Sequence, residues 1–129
     1  MRIAVLGGGA MGALYGGYLS RKNDVLIVDV NTALIEKIKA EGLTIAEPDG
    51  CSAVYHPAIT DDTKGMQPVD LVVVFVKAMF SQSALEKNRA LIGSDTYLMT
   101  LPRVSEDCLH IFQRGFLCIL INLPHFADA

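Results

Sequence analysis

Residues Ile3 to Leu19 read IAVLGGGAMGALYGGYL, and six of these positions are glycine: Gly7, Gly8, Gly9, Gly12, Gly16 and Gly17. Glycine weakens strands and helices alike, by roughly 1 kcal/mol per helix-interior site relative to alanine. Such a concentration needs a reason. Arg2–Leu6, just before the glycines, is apolar on both faces, the pattern of a buried parallel strand. Ala10 to Arg21 reads as a helix rich in small residues that runs into the polar stop SRKND. Gly7-x-Gly9-x-x-Gly12 therefore lies between a strand and a helix, the context in which this spacing holds a dinucleotide. Gly7 permits the tight turn, Gly9 lets backbone approach a pyrophosphate, and Gly12 lets the helix pack close. The helix start, at Ala10 and Met11 with Gly12, offers unpaired N–H groups and a positive dipole end to the phosphates. Gly16 extends the close-packing face. The competing reading is a seam of small residues that binds nothing.

Working outward, DVLIVDV (Asp24–Val30) is a second buried strand. Asp29 stands about 20 positions after the first glycine, where an acid accepts hydrogen bonds from the adenosine ribose. It would repel a 2′-phosphate, which favours NAD over NADP. Alternatively, Asp29 interacts with the positive end of the next helix. That helix has Asn31 or Thr32 as its N-cap, runs to about Ala40 with Leu34, Ile35 and Ile38 on one face, and stops at Gly42.

GLTIAEPDGCSAVYH follows, and Pro48-Asp49-Gly50 between two β-rich runs predicts a hairpin. PAITDDTKGMQP reads as a polar loop. Val69–Lys77, VDLVVVFVK, is the strongest strand signal in the chain. Lys77 at its end would face the ligand crevice of a parallel sheet or simply start the next helix in solvent. AMFSQSALEKNRALIG is a helix stopped by Gly93, and SDTYLMTL is another strand. Arg103 follows that strand end and is a weaker candidate for an anion. FLCILIN (Phe116–Asn122) is a candidate sixth strand. The order β-α-β-α-(β-β)-β-α-β predicts a doubly wound α/β fold with a parallel sheet.

Composition narrows the function. The 129 residues are 51% hydrophobic and 19% charged, enough for one packed domain. Net charge is −3, without a basic run, so no nucleic-acid partner is expected. No apolar run reaches membrane-spanning length, and the glycines interrupt the N-terminal stretch that superficially resembles a signal peptide. Cys51, Cys108 and Cys118 form no CxxC pair, which points to free thiols and a cytoplasmic setting. His56, His110 and His125 lack metal-ligand spacing, so no metal is expected. No Ser/His/Asp set or carboxylate pair suggests a hydrolase.

With these residues placed, the chain resembles the ketopantoate reductase (2-dehydropantoate 2-reductase) family in its N-terminal cofactor-binding domain. The matching pieces are MRIAVLGGGAMGALYGGYLSRKNDVLIVD with its Ala-Leu-Tyr-Gly, the EGLTI…PDG hairpin, and VDLVVVFVKA followed by a helix and TYLMTL. They cover about residues 1–101. The resemblance implies a Rossmann-like cofactor domain and NADPH-dependent reduction of the 2-keto acid ketopantoate to pantoate, on the route to pantothenate and coenzyme A. It implies that Gly7, Gly9 and Gly12 carry the pyrophosphate and that Lys77 lines the cleft.

The sequence departs from the family twice. Val30 and Asn31 stand where members often carry an arginine for the 2′-phosphate, so NADP is the family expectation while Asp29 and Val30 favour NAD. Pro102, Arg103 and Val104 replace the family's Gln-Asn-Gly. The expectation is an incomplete doubly wound sheet without the family's C-terminal helical domain, with no catalytic residue in this chain and little activity alone. Residues 102–129 are expected to be a divergent, frame-shifted or truncated tail; the plainer alternative is a natural short relative whose FLCILIN is the last strand. An unpaired sheet edge predicts self-association. Two other functions stay open: a non-catalytic NAD-binding regulatory module, and another 2-keto or 3-hydroxy acid dehydrogenase.

Overall fold

Side chains alternate along Arg2–Leu6 (β1), so Ile3 and Val5 face one way and Ala4 and Leu6 the other; all four are buried. A strand buried on both faces requires cover on both sides. The computed structural model, which describes residues 1–100 and the backbone of 118–120, shows that arrangement. After β1 come α1 (Ala10–Leu19), β2 (Asp24–Val28), α2 (Thr32–Glu41), β3 (Leu43–Ala46) and β4 (Ser52–Tyr55). They are followed by β5 (Ala58–Thr60), β6 (Leu71–Val74), α3 (Ala78–Lys87), β7 (Tyr97–Thr100) and β8 (Cys118–Leu120). Six strands form one parallel sheet in the order β5-β2-β1-β6-β7-β8. The fold is the expected Rossmann-like, doubly wound α/β class. The chain builds outward from β1 through β2 to β5, then returns to β6 on the other side of β1. This reversal is where such sheets bind ligands.

Two apolar layers flank the sheet. Ile3, Val5, Val25 and Ile27 pack with Ile35 and Ile38 of α2 on one face. Ala4, Leu6, Val28, Val72 and Val74 pack with Leu85 of α3 on the other. On the first face α1 lies so close that a β-carbon at Gly16 would come within 2.8 Å of the Ile27 side chain. The helix α2 begins and ends as its sequence suggests. Asn31 accepts a hydrogen bond from the Leu34 N–H at 3.2 Å, and Gly42 takes a positive φ of 77°. β3 and β4 pair antiparallel through the Pro-Asp-Gly turn. This hairpin packs on α1, where the Tyr18 hydroxyl donates to the Glu47 carboxylate. That carboxylate, with burial adding to it, raises the Tyr18 phenol above its ordinary value.

Several boundaries differ from the sequence reading. α1 ends at Leu19 rather than Arg21 because the Ser20 hydroxyl and the Asn23 amide turn back onto the Gly17 and Leu19 carbonyls. β2 ends at Val28, and β6 covers only Leu71–Val74. The loop assigned to Pro57–Pro68 contains β5, which pairs in parallel with Leu26–Val28. α3 breaks at Asn88 and gives way to a 3-10 turn at Arg89–Leu91. The strand expected at Phe116–Asn122 appears at Cys118–Leu120; Arg103 and the rest of the 102–129 segment lie outside the described residues. Among the described residues no helix is long and apolar enough to cross a membrane. No group of three or more His, Cys, Asp and Glu side chains among them could hold a metal.

Candidate cofactor site

The site begins where β1 runs out. Gly7 donates to the Val28 carbonyl at 2.8 Å, while Phe75 donates to the Leu6 carbonyl at 2.8 Å. The turn therefore leaves the sheet still tied to the strands on both sides. Gly7 has φ +102°, a conformation that strains any residue with a β-carbon. The chain then enters α1 at once. A β-carbon on Gly12 would lie 1.7 Å from the Gly7 carbonyl oxygen. Gly12 thus packs against the turn itself, with Val5 behind it.

Gly9 differs from both. It is the N-cap of α1, in extended backbone with φ −62°, and a β-carbon there would meet nothing within 4 Å. The space it borders is open. The first-turn N–H groups of Ala10, Met11 and Gly12 have no intrahelical acceptor, as at any helix start. Gly9 brings no side chain to cap them, and no acidic residue occupies the first turn. A bare backbone facing an open volume, beside uncapped donors, fits a pyrophosphate.

Asp29 follows β2 and sits beside this turn. One carboxylate oxygen accepts from the Gly8 N–H at 2.6 Å and the other from the Asn31 N–H at 2.8 Å. Capping of α2 falls to the Asn31 side chain instead. Asp29 therefore ties the glycine turn to the start of α2. Each carboxylate oxygen still has lone-pair capacity for another donor.

Between the turn and α3 lies a largely apolar cleft of about 340 Å³. Leu6, Val28 and Val30 form its sheet side, with Gly7, Asp29 and Val76. Phe80, Ala84 and Lys87 form its helix side, with Ser83 and Asn88. The residues between β5 and β6 form no helix, so nothing helical covers this part of the sheet. Instead, Thr63 from that connection donates to the Asn88 side-chain oxygen at 2.8 Å, and both residues are buried. Val30 is 74% exposed and Phe80 54% exposed, so apolar surface meets solvent on both sides of the cleft.

The structure brings Gly7 and Asp29 to the cleft and sets Gly9, Ala10, Met11 and Gly12 around the adjoining turn. Lys77 is different. It is the exposed N-cap residue of α3, makes no side-chain cap, and is not among the cleft-lining residues. Lys87, which the sequence reading passed over, is among them. The signal was available in the spacing, since Phe80, Ala84 and Lys87 recur on one face of a helix.

The family model described as ketopantoate reductase PanE/ApbA matches residues 3–102. The chain belongs to the ketopantoate reductase family. A 2-dehydropantoate 2-reductase from Streptococcus pyogenes serotype M3 is 33% identical over 102 residues, covering 78% of this chain and 33% of the relative. A solved chain from Enterococcus faecalis, assigned as a 2-dehydropantoate 2-reductase, superposes with a TM-score of 0.79 at 29% identity. It covers 92% of this chain and 40% of that one. A D-mandelate dehydrogenase, solved with NADH and anilino(oxo)acetate, gives a TM-score of 0.78 at 30% identity with the same coverage. The chain spans about a third of the length of the curated reductases it matches. Its homologues support an oxidoreductase family.

Proposed function

We propose that this chain binds a nicotinamide adenine dinucleotide and forms the cofactor-holding part of a 2-keto acid reductase of the ketopantoate type. The observation that carries the reading is the open, side-chain-free approach at Gly9 to the uncapped start of α1. Backbone N–H groups there would hold the pyrophosphate. Asp29 would take the adenosine ribose hydroxyls, and the apolar cleft would take the base. When bound, the dinucleotide supplies a hydride for a keto carbon. The chain's own work is to hold and orient it. The proton for the forming alkoxide requires a general acid, which this reading assigns to no residue of the chain. Ketopantoate turnover by the chain alone is therefore expected to be absent.

The cofactor preference in this proposal is NAD. A 2′-phosphate would approach the Asp29 carboxylate, and two unit charges 4 Å apart repel by about 4 kcal/mol at a near-surface effective dielectric. Exposed Val30 offers no counter-charge. Titrating the protein with NADH and NADPH, followed by nicotinamide fluorescence, tests both parts. Tighter binding of NADH by tenfold or more is expected. Failure of both to bind overturns the cofactor reading, and a preference for NADPH overturns the role given to Asp29.

A second reading, another 2-keto acid as substrate, is favoured by the likeness to the D-mandelate dehydrogenase, whose structure holds NADH and an oxoacetate compound.

A further inference from the structure

The cleft has polar groups that the proposed function leaves without work. α3 follows β6 and runs back from the glycine-turn end of the sheet, so Phe80 lies near that end and Lys87 a further seven residues along. Seven residues of helix span about 10 Å, roughly the reach of a nucleoside from its ribose to the far edge of its base. On the dinucleotide reading above, a ribose at Asp29 would set the base between Val30 and Phe80, which line the cleft, with its far edge toward the later part of α3.

Three polar side chains on α3 border that space: Ser83, Lys87 and Asn88. Asn88 is committed, because its oxygen accepts from Thr63 and its nitrogen donates to the Ala84 carbonyl at 2.8 Å. Ser83 spends its hydroxyl proton on the Phe80 carbonyl at 3.0 Å, which leaves its oxygen free to accept. Lys87 is exposed and has no hydrogen-bond or ion-pair partner among the described residues. The ammonium can only donate, and Ser83 in this geometry can only accept. They stand at i and i+4, on one side of the helix.

We propose that Ser83 and Lys87 read the hydrogen-bonding edge of the dinucleotide's base and select adenine over a 6-oxopurine. Adenine presents an amine donor at C6 beside an acceptor at N1. Ser83 accepts from the amine, and Lys87 donates to N1. A 6-oxopurine reverses both groups, placing an N1–H against the lysine and a carbonyl oxygen against the spent hydroxyl. Polar mismatches of this kind discriminate more strongly than the loss of an apolar contact. Lys87 also lies in the last turn of α3, where the helix dipole favours a cation. That structural role affects thermal stability and not the choice of base.

The inference rests on the dinucleotide reading, and its test separates the two. Binding of NADH and of reduced nicotinamide hypoxanthine dinucleotide is measured on the full chain by fluorescence titration, for the unaltered protein, Ser83→Ala and Lys87→Met. The unaltered protein is expected to bind the adenine form about tenfold tighter, and each variant to lose most of that ratio. Lys87→Met should leave the ratio of NADH to NADPH affinity within about twofold. Equal affinity for the two bases, or an unchanged base ratio in both variants, overturns the proposal while leaving the cofactor reading intact. A selective loss of NADPH in Lys87→Met also overturns it, because the lysine would then serve a 2′-phosphate. If no dinucleotide binds at all, the cofactor reading and this inference fall together.

Discussion

Gly12→Ala sets two physical arguments against each other. On helix propensity alone, alanine in place of a helical glycine stabilises by at most about 1 kcal/mol. The packing at this position points the other way. The new β-carbon would sit 1.7 Å from the Gly7 carbonyl oxygen and 2.8 Å from its carbon. Ordinary contact would require a displacement of more than about 1 Å, and the Gly7 carbonyl has little freedom to provide it. Its own N–H is held by Val28, and its positive φ is fixed by the turn. Overpacking of this kind costs about 3 kcal/mol where the neighbour cannot yield. The net expectation is a loss of about 2 kcal/mol, or a fall in Tm of about 7 °C for a domain of this size. Gly16→Ala is the internal comparison: its β-carbon would meet only the end of the Ile27 side chain, at 2.8 Å, and that chain can rotate. Thermal and urea unfolding of the two variants beside the unaltered protein would measure both. A Gly12→Ala variant as stable as the unaltered protein would refute the close approach of α1 to the turn.

Other substitutions probe different parts of the site. Gly9→Ala should change stability by less than about 1 kcal/mol, since only the cap preference is altered, yet weaken NADH binding at least tenfold by filling the open space; unchanged NADH affinity would place the pyrophosphate elsewhere. Asp29→Ala should cost about 2 kcal/mol in urea unfolding, because the Gly8 and Asn31 N–H groups lose a charged acceptor; a loss below about 0.5 kcal/mol would show that water replaces it. Asn88→Ala should cost about 2 kcal/mol, and the additional change Thr63→Val should recover part of it by removing the stranded hydroxyl; strictly additive losses would rule out the buried pair. The Tyr18 phenol is raised above its ordinary value of 10.0. Its contribution is therefore complete below that pH and is lost as pH rises through the folded value. Tyr18→Phe should remove this alkaline component from stability measured between pH 8 and 11, and an identical alkaline profile in the variant would argue against the Glu47 contact.

The elements that sequence reading located are those with local causes. β1 and β2 are continuous apolar runs, α2 carries its own cap and stop in Asn31 and Gly42, and Pro48-Asp49-Gly50 is enough to make a hairpin. What it missed depends on distant partners. β5 has three residues, of which only Ile59 is buried, so no alternation can reveal it. It becomes a strand because β2 presents a free edge. α3 ends at Asn88 without a glycine, since the reason is Thr63, 25 residues earlier. The glycine turn and Asp29 were visible from spacing, whereas Lys87 drew no reading: its spacing with Phe80 and Ala84 puts it on one helix face but not beside a cleft. Its place beside the cleft follows from the absence of a helix between β5 and β6, which is a property of the assembled sheet.

The double attachment of Asp29 also bears on redesign of the cofactor preference. A protein engineer seeking NADPH would ordinarily replace the acid after the second strand. Here the same carboxylate anchors both the glycine turn and the entry to α2, so its removal loosens the pyrophosphate cradle along with the charge. Asn31 is no easier to change, because it caps the helix. Val30, exposed and free of either duty, is the position at which an arginine can be introduced without dismantling the scaffold around it. The site is therefore more readily retuned by addition than by exchange.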